Sequence, residues 1–449
     1  MITETADLLG KDRVFETLRQ ALAHSKADQT EVTLGVGRSG LTRFAGSAIH
    51  QNVAERNAGL SVRAVLGRKV GFASTSSLSA ASVVETVEKA FEFARNQHDN
   101  PDFVSLPGPK VAAACPAMFY ESTVGFGPAQ RAEGAGAVID EAVKRGAEAA
   151  GSFSTSVLEF GVVNSLGAQA YAARTGAGLS TVITAGTGSG MASRVSMDVE
   201  EIAAAEVGRE AADRAAASKD PVGVEAGEYD VVLLPYAVGE FLDSLAYVGL
   251  GALAVQEGRS FMCGKFGERI CGEQISVWDD GLDPRGIVMP FDPEGVPKQR
   301  VDLIVNGVAK GVVYDSYTAH KEGKESTGHS TGGSSTFGPY PNNLFIAAGT
   351  SSVDEMIASV KRGLFVSRFH YVNVVHPIQT VITGMTRDGT FLIEDGKITK
   401  PVRNLRFTES VLRALSNVEL VGRDLLLLGS ARVPAMKVRG FRFTGVTEF

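Results

Sequence analysis

Apolar positions along the chain keep two rhythms, and the two alternate. Leu60, Val62, Ala64 and Leu66 recur at every second residue, the period of a half-buried strand. Val83, Val84, Val87, Phe91 and Ala94 recur at helical spacing after Ser79, a residue suited to an N-cap. The same succession returns further on. Ala58–Ser77 and Ala177–Ser196 are identical at nine of twenty positions at an offset of 119, where chance gives about one or two. In both copies a glycine pair (Gly67 and Gly71, Gly186 and Gly190) brackets a short turn between two strand-like runs. Asp198, with Glu201 three residues on, reads as the second copy's cap before Ile202, Val207 and Ala211. A helix is predicted before each hairpin, over 12–25 and 129–149. Each copy thus reads helix, strands, helix, an antiparallel α+β module rather than βαβ.

Proline- and glycine-rich stretches at 100–109 and 219–223 mark boundaries. They divide the chain into 1–106, 110–220 and 225–449. In the last part Asn306-Gly307 and Glu394-Asp395-Gly396-Lys397 are hairpin signals, so this domain is predicted to be β-rich, with a curved or barrel-like sheet. Within it Val231–Leu234 reads as a buried strand. After a turn at Pro235, apolar residues at 238, 241, 242, 245 and 248 or 249 form the core-facing stripe of a helix.

At 449 residues the chain exceeds one ordinary core. A net charge of −7 without a long basic run argues against a nucleic-acid partner. No apolar run reaches membrane-helix length, and the acidic start Met1–Asp7 is unlike a signal peptide. Three cysteines, Cys115, Cys263 and Cys271, make an odd set that reads as ordinary thiols in a reduced cytoplasm.

Four segments together carry a resemblance: Val231–Ser244, Trp278-Asp279-Asp280, Phe291-Asp292-Pro293-Glu294-Gly295-Val296 and Val305-Asn306-Gly307-Val308. They resemble the third domain of the TldD/PmbA family of zinc metalloproteases and their inactive homologues, also described as modulators of DNA gyrase. The resemblance spans essentially the whole chain and implies two small N-terminal modules and a larger C-terminal domain. In the catalytic TldD branch this helix carries His-Glu-x-x-x-His. The matching residues here are Gly239-Glu240-Phe241-Leu242-Asp243-Ser244. Glu240 stays, and Gly239 and Ser244 replace the histidines. The stretch matching the branch's C-terminal cysteine ligand, Leu425–Val433, has no cysteine. A catalytic zinc needs about three protein ligands and an open water position, and a base such as Glu240 needs a polarised water to act on. The chain therefore resembles the PmbA branch, also called TldE, with no catalytic residue and no metal of its own.

Candidate substrate-binding residues are Ser326, Thr327, Gly328 and His329, with His370 and His376. The first four open a Ser-Thr-Gly stretch that resembles a loop bordering the peptidase's substrate cleft. Its small polar residues suit a mobile loop, and a plain surface loop is the alternative. His370, Val372, Val374 and His376 would share one face of a regular strand. No carboxylate or cysteine lies at ligand-like spacing nearby, so structural histidines are favoured over a metal pair.

The resemblance implies a non-catalytic subunit that pairs with a TldD-type catalytic chain holding the zinc. Such a pair acts on unfolded peptides or on peptide-natural-product precursors. Two other classes stay open: an enzyme with relocated chemistry tailoring a small metabolite conjugate, and a binding or regulatory homodimer.

Overall fold

A computed structural model describes residues 8–111, 114–333 and 336–447. The acidic start Met1–Asp7, and Ser334 and Ser335 of the Ser-Thr-Gly stretch, lie outside the described residues.

The first module runs α1 (Lys11–Ala23), β1 (Gln29–Ala45), β2 (Ala48–Leu66), β3 (Lys69–Thr75) and α2 (Ala80–Arg95). The second runs α3 (Glu121–Val124), α4 (Pro128–Val143), β4 (Glu148–Asn164), β5 (Gln169–Ala185), β6 (Gly188–Ser196) and α5 (Ala204–Ala217). Their strands form one antiparallel sheet in the order β3-β2-β1-β4-β5-β6. Strand registers repeat at the sequence offset. Gly35 faces Gly59 as Ser154 faces Gly178, and Val65 faces Val70 as Thr184 faces Ser189. The copies meet through β1 and β4, where Ser39 faces Ser156 and Gly37 faces Leu158, a local pseudo-twofold.

The equivalent glycines have equivalent work. Gly67 and Gly186 turn their hairpins at φ 59° and 60°, where a side chain is disfavoured. At Gly71 a Cβ would lie 2.3 Å from Ala90 O, and at Gly190 2.1 Å from Ala211 O. Each lets its strand lie against the following helix. Ser79 caps α2 by accepting from Ser82 N. Asp198 departs from expectation. It accepts from Glu200 N and caps a 3-10 turn, while α5 begins only at Ala204 with no side-chain cap. Glu201 accepts instead from Ser196 Oγ at 2.6 Å. Helix α4 also stops before its predicted end at 149, because Gly146 takes φ 63° and reverses the chain into β4.

The C-terminal domain contains β7 (Gly227–Leu233), α6 (Pro235–Gly249), α7 (Ala252–Gln256), β8 (Val277–Asp279), β9 (Val301–Val305), β10 (Val308–Ala309), α8 (Ser316–Lys321), β11 (Leu344–Ile346) and α9 (Val353–Ala358). It ends with β12 (Arg362–His376), β13 (Val381–Glu394), β14 (Lys397–Pro401), β15 (Leu405–Ser410), α10 (Val411–Ser416), β16 (Val418–Leu428) and β17 (Ala431–Val446). Strands β12, β13, β15 and β17 pair in sequence, and β7 pairs with both β12 and β17, so this part curls. Bulges in β12 and β17 sharpen the curl. Strands β11, β8, β9 and β10 extend from β17 as a flank, so the sheet as a whole is not a closed barrel. Both predicted hairpins form, with Asn306 and Gly307 at φ 50° and 77° and Asp395 and Gly396 at φ 45° and 76°. The core beneath α6 is aromatic, built on Phe241, Phe369, Phe407 and Phe441.

Candidate functional site

Helix α6 begins where β7 ends, because Leu234 takes an extended conformation and Pro235 fits the first helical turn. Val238, Phe241, Leu242, Leu245 and Val248 bury the predicted stripe. The opposite face, with Tyr236, Gly239, Glu240, Asp243 and Tyr247, lines a cavity of about 650 Å³. Met191 and Ser193 of β6 line it too, so it lies on the seam between the second module and the C-terminal domain. That seam is tied by Arg194, which donates to Tyr236 Oη at 3.0 Å and pairs with Glu210 at 2.7 Å.

The cavity reaches one position that the resemblance matches to a metal ligand and part of the stretch that it matches to another. Gly239 is in its wall, and so is Ser430, from the turn between β16 and β17 within the cysteine-free stretch. Ser244 is not. It is buried on the other side of the helix, as expected for residues five apart, which point about 140° from each other. A Cβ at Gly239 would lie 3.3 Å from Leu428 Cδ1. These residues do not fit a zinc ion. Glycine offers no donor, Ser244 faces away, and the oxygen of Ser430 is a poor substitute for thiolate.

Glu240 has lost water to burial, and the nearby Asp243 adds like charge, so its carboxyl is pushed up to about 6 although Arg368 pulls the other way. Loss of water also raises Asp243. Tyr340, across the cavity, is pushed up to about 12 by burial and then by Asp243. Arg368 itself pairs with Asp388 at 2.5 Å. A carboxyl near 6 can take or give a proton close to neutrality.

The other predicted residues lie elsewhere. His329 is fully buried behind the cavity wall, its carbonyl accepting from Tyr340 N at 3.0 Å. Burial and Lys298 hold its ring below the usual histidine range. The neutral ring donates from Nε2 to Asp279 Oδ1 at 2.7 Å, and Nδ1 meets Thr327 Oγ1 at 2.9 Å. As placed, it presents no surface to a peptide. Ser326 Oγ donates to Tyr314 O, and Gly328 at φ 76° fits tightly against Pro297. The following Thr331 Oγ1 donates to Gly338 O at 2.8 Å, and Gly333 packs on Arg63 and Phe72. Of the described residues in this stretch, Gly333 thus lies against the first module. His370 is half-buried with its ring 4.4 Å from that of Tyr371, and His376 is exposed. Two register shifts and Tyr371 at φ 51° break the alternation between them, so the four residues do not form one row. Among the described residues no group of three His, Cys, Asp or Glu side chains could hold a metal.

Sequence reasoning missed a second cluster. Asp292 accepts from Glu294 N, Val296 N and Ser330 N. Glu294 accepts from Ser316 N and pairs with Arg63 of β2 at 3.1 Å, and Arg63 pairs with Glu31 of β1 at 2.6 Å. The Phe291–Val296 segment that carries part of the resemblance thus anchors the first module. No local pattern announces it, since Arg63 and Glu294 are 231 residues apart in sequence.

Family models fit this architecture in three consecutive parts. Residues 30–94 match domain 1 of the PmbA/TldA metallopeptidases, 117–219 the central domain, and 226–445 the C-terminal domain. The chain belongs to the PmbA/TldD metallopeptidase family. A metalloprotease of Methanothermobacter thermautotrophicus is 28% identical over 236 residues, covering 51% of this chain and 49% of its own length. A metalloprotease TldD homolog of Haemophilus influenzae is 31% identical over 216 residues, covering 47% and 44%. The chain spans about half the length of the curated relatives it matches. Among solved structures, TldE from Thermococcus kodakarensis superposes with a TM-score of 0.88 at 22% identity, over 96% of this chain and 99% of that one. A Thermotoga maritima chain, described only as a candidate modulator of a DNA gyrase, gives 0.87 at 20% identity over 96% and 100%. At these identities the likeness establishes the fold.

Proposed function

We propose that this chain is the non-catalytic, TldE-like subunit of a heteromeric zinc metalloprotease that acts on unfolded peptides or peptide-natural-product precursors. The zinc belongs to a TldD-type partner. One observation supports this reading above the others. Gly239, which the family resemblance matches to a zinc-binding histidine, shares one cavity wall with Glu240 and with Ser430 of the stretch matched to the cysteine ligand, and neither Gly239 nor Ser430 carries an imidazole or a thiolate. Permanent interfaces of this kind commonly bury more than about 2,000 Å². Co-expression with a His-Glu-x-x-x-His homologue from the same source, followed by purification through a tag on one chain and light scattering, tests the pairing. A stable complex of both chains is expected. Two species that separate at micromolar concentration would overturn it.

A further inference from the structure

Two carboxylates stand in the wall of the α6 cavity, where the one guanidinium of the lining, Arg368, pulls on Glu240 without contacting it. Among the described residues, Glu240 and Asp243 have no hydrogen-bond or ion-pair partner. The basic groups around them are committed, Arg368 to Asp388 and Arg194 to Glu210. The uncompensated charge of the cavity is therefore negative.

Aromatic rings complete the wall. Tyr247 and Tyr340 line the cavity, and Phe337 packs between them with its centroid 5.6 Å from each. Tyr247 and Phe337 are 59% and 44% exposed, although large rings usually bury more of their surface. Ring faces attract cations through their quadrupole. Anionic acceptors beside such rings repel an acidic group and make a purely apolar one pay for desolvating the carboxylates. A cation with an apolar stem satisfies both parts of the wall at once.

We infer that this cavity binds the ammonium or guanidinium group of a basic side chain carried by an extended peptide. The peptide as the source rests on the function proposed above, while the cationic group rests on the cavity's own chemistry. Glu240 and Asp243 accept charge-assisted hydrogen bonds from the cation, and Tyr247 and Tyr340 flank its stem. About 650 Å³ holds a lysine or arginine side chain with part of its main chain.

The test uses the full chain alone and fluorescein-labelled, N-acetylated decapeptides that differ only in a central lysine or norleucine, read by anisotropy. Spermidine serves as a free cation. The lysine peptide is expected to bind about tenfold more tightly, the worth of one charge-assisted contact. Glu240→Gln with Asp243→Asn should remove that preference by weakening lysine-peptide binding, with norleucine binding level or slightly tighter as the desolvation cost falls. Phe337→Leu, at an exposed ring, should reduce the preference a few-fold and guards against a folding defect in the carboxylate variant. Equal binding of the two peptides, or a preference that survives the loss of both carboxylates, overturns the inference. Spermidine binding without any advantage for the lysine peptide overturns the peptide as the source. Because no partner is needed, a failure here is distinct from a failure of the two chains to co-purify.

Discussion

The family resemblance matches Gly239 and Ser244 to two histidines, and restoring those histidines is not expected to rebuild a metal site. On a regular helix they point about 140° apart. Ser244 is enclosed on the core side, while Gly239 faces the cavity with Leu428 close by. Gly239→His with Ser244→His is therefore expected to bind no stoichiometric zinc and to hydrolyse no peptide. Elemental analysis of the purified variant decides this, and about one zinc per chain would contradict it. Phe241, inside the former motif, is 1% exposed and packs against Phe369 and Phe441. Phe241→Ala should cost about 3–5 kcal/mol, read as a lowered urea midpoint with the slope unchanged. That Gly239 and Ser244 are not histidines is legible in the sequence because it depends only on residue type. The burial of His329 was not, since nothing near it in sequence identifies Asp279 as its partner.

Among the elements, the duplicated modules expose what their shared glycines are for. Gly71 and Gly190 sit where β3 and β6 meet α2 and α5, and a methyl group there would collide with helix backbone rather than with a movable side chain. Gly71→Ala and Gly190→Ala should each destabilise by at least about 1–3 kcal/mol, the usual range for overpacking. Gly59, with open space at its Cβ, is the control, and Gly59→Ala should be neutral or slightly stabilising. Thermal denaturation of the three variants separates a packing need from mere identity between the repeats. Equal effects at all three positions would refute it. This level was largely legible, because alternation, turn glycines and the offset of 119 survive in one dimension. The misreadings came where local signals competed. The acidic run at Asp198–Glu201 satisfies a 3-10 turn and Ser196 before α5 begins, and bulges in β12 defeat a strict period of two.

At the scale of the whole molecule, the first module is fastened by one guanidinium between two carboxylates. Burial outweighs Arg63's attraction, and Glu294 adds like charge, so Glu31 is pushed up to about 7 from its usual 4.5. A carboxyl raised in the folded chain holds its proton longer there than in the unfolded chain. Its contribution to stability is full below the unfolded value and is lost as pH rises through the folded one. Gln at this position carries no such cost, so Glu31→Gln should gain stability relative to the parent between about pH 5 and about pH 8. Paired melting curves across that range check the sign, and a relative loss would mean that Arg63 keeps Glu31 ionised at little cost. The central claim, a dead subunit that works only in company, is tested most directly by peptide hydrolysis with and without a His-Glu-x-x-x-His homologue. The account predicts no turnover by this chain alone, chelator-sensitive turnover by the pair, and no loss of that turnover's metal dependence in Glu240→Gln. Hydrolysis by this chain alone, abolished by Glu240→Gln, would contradict it.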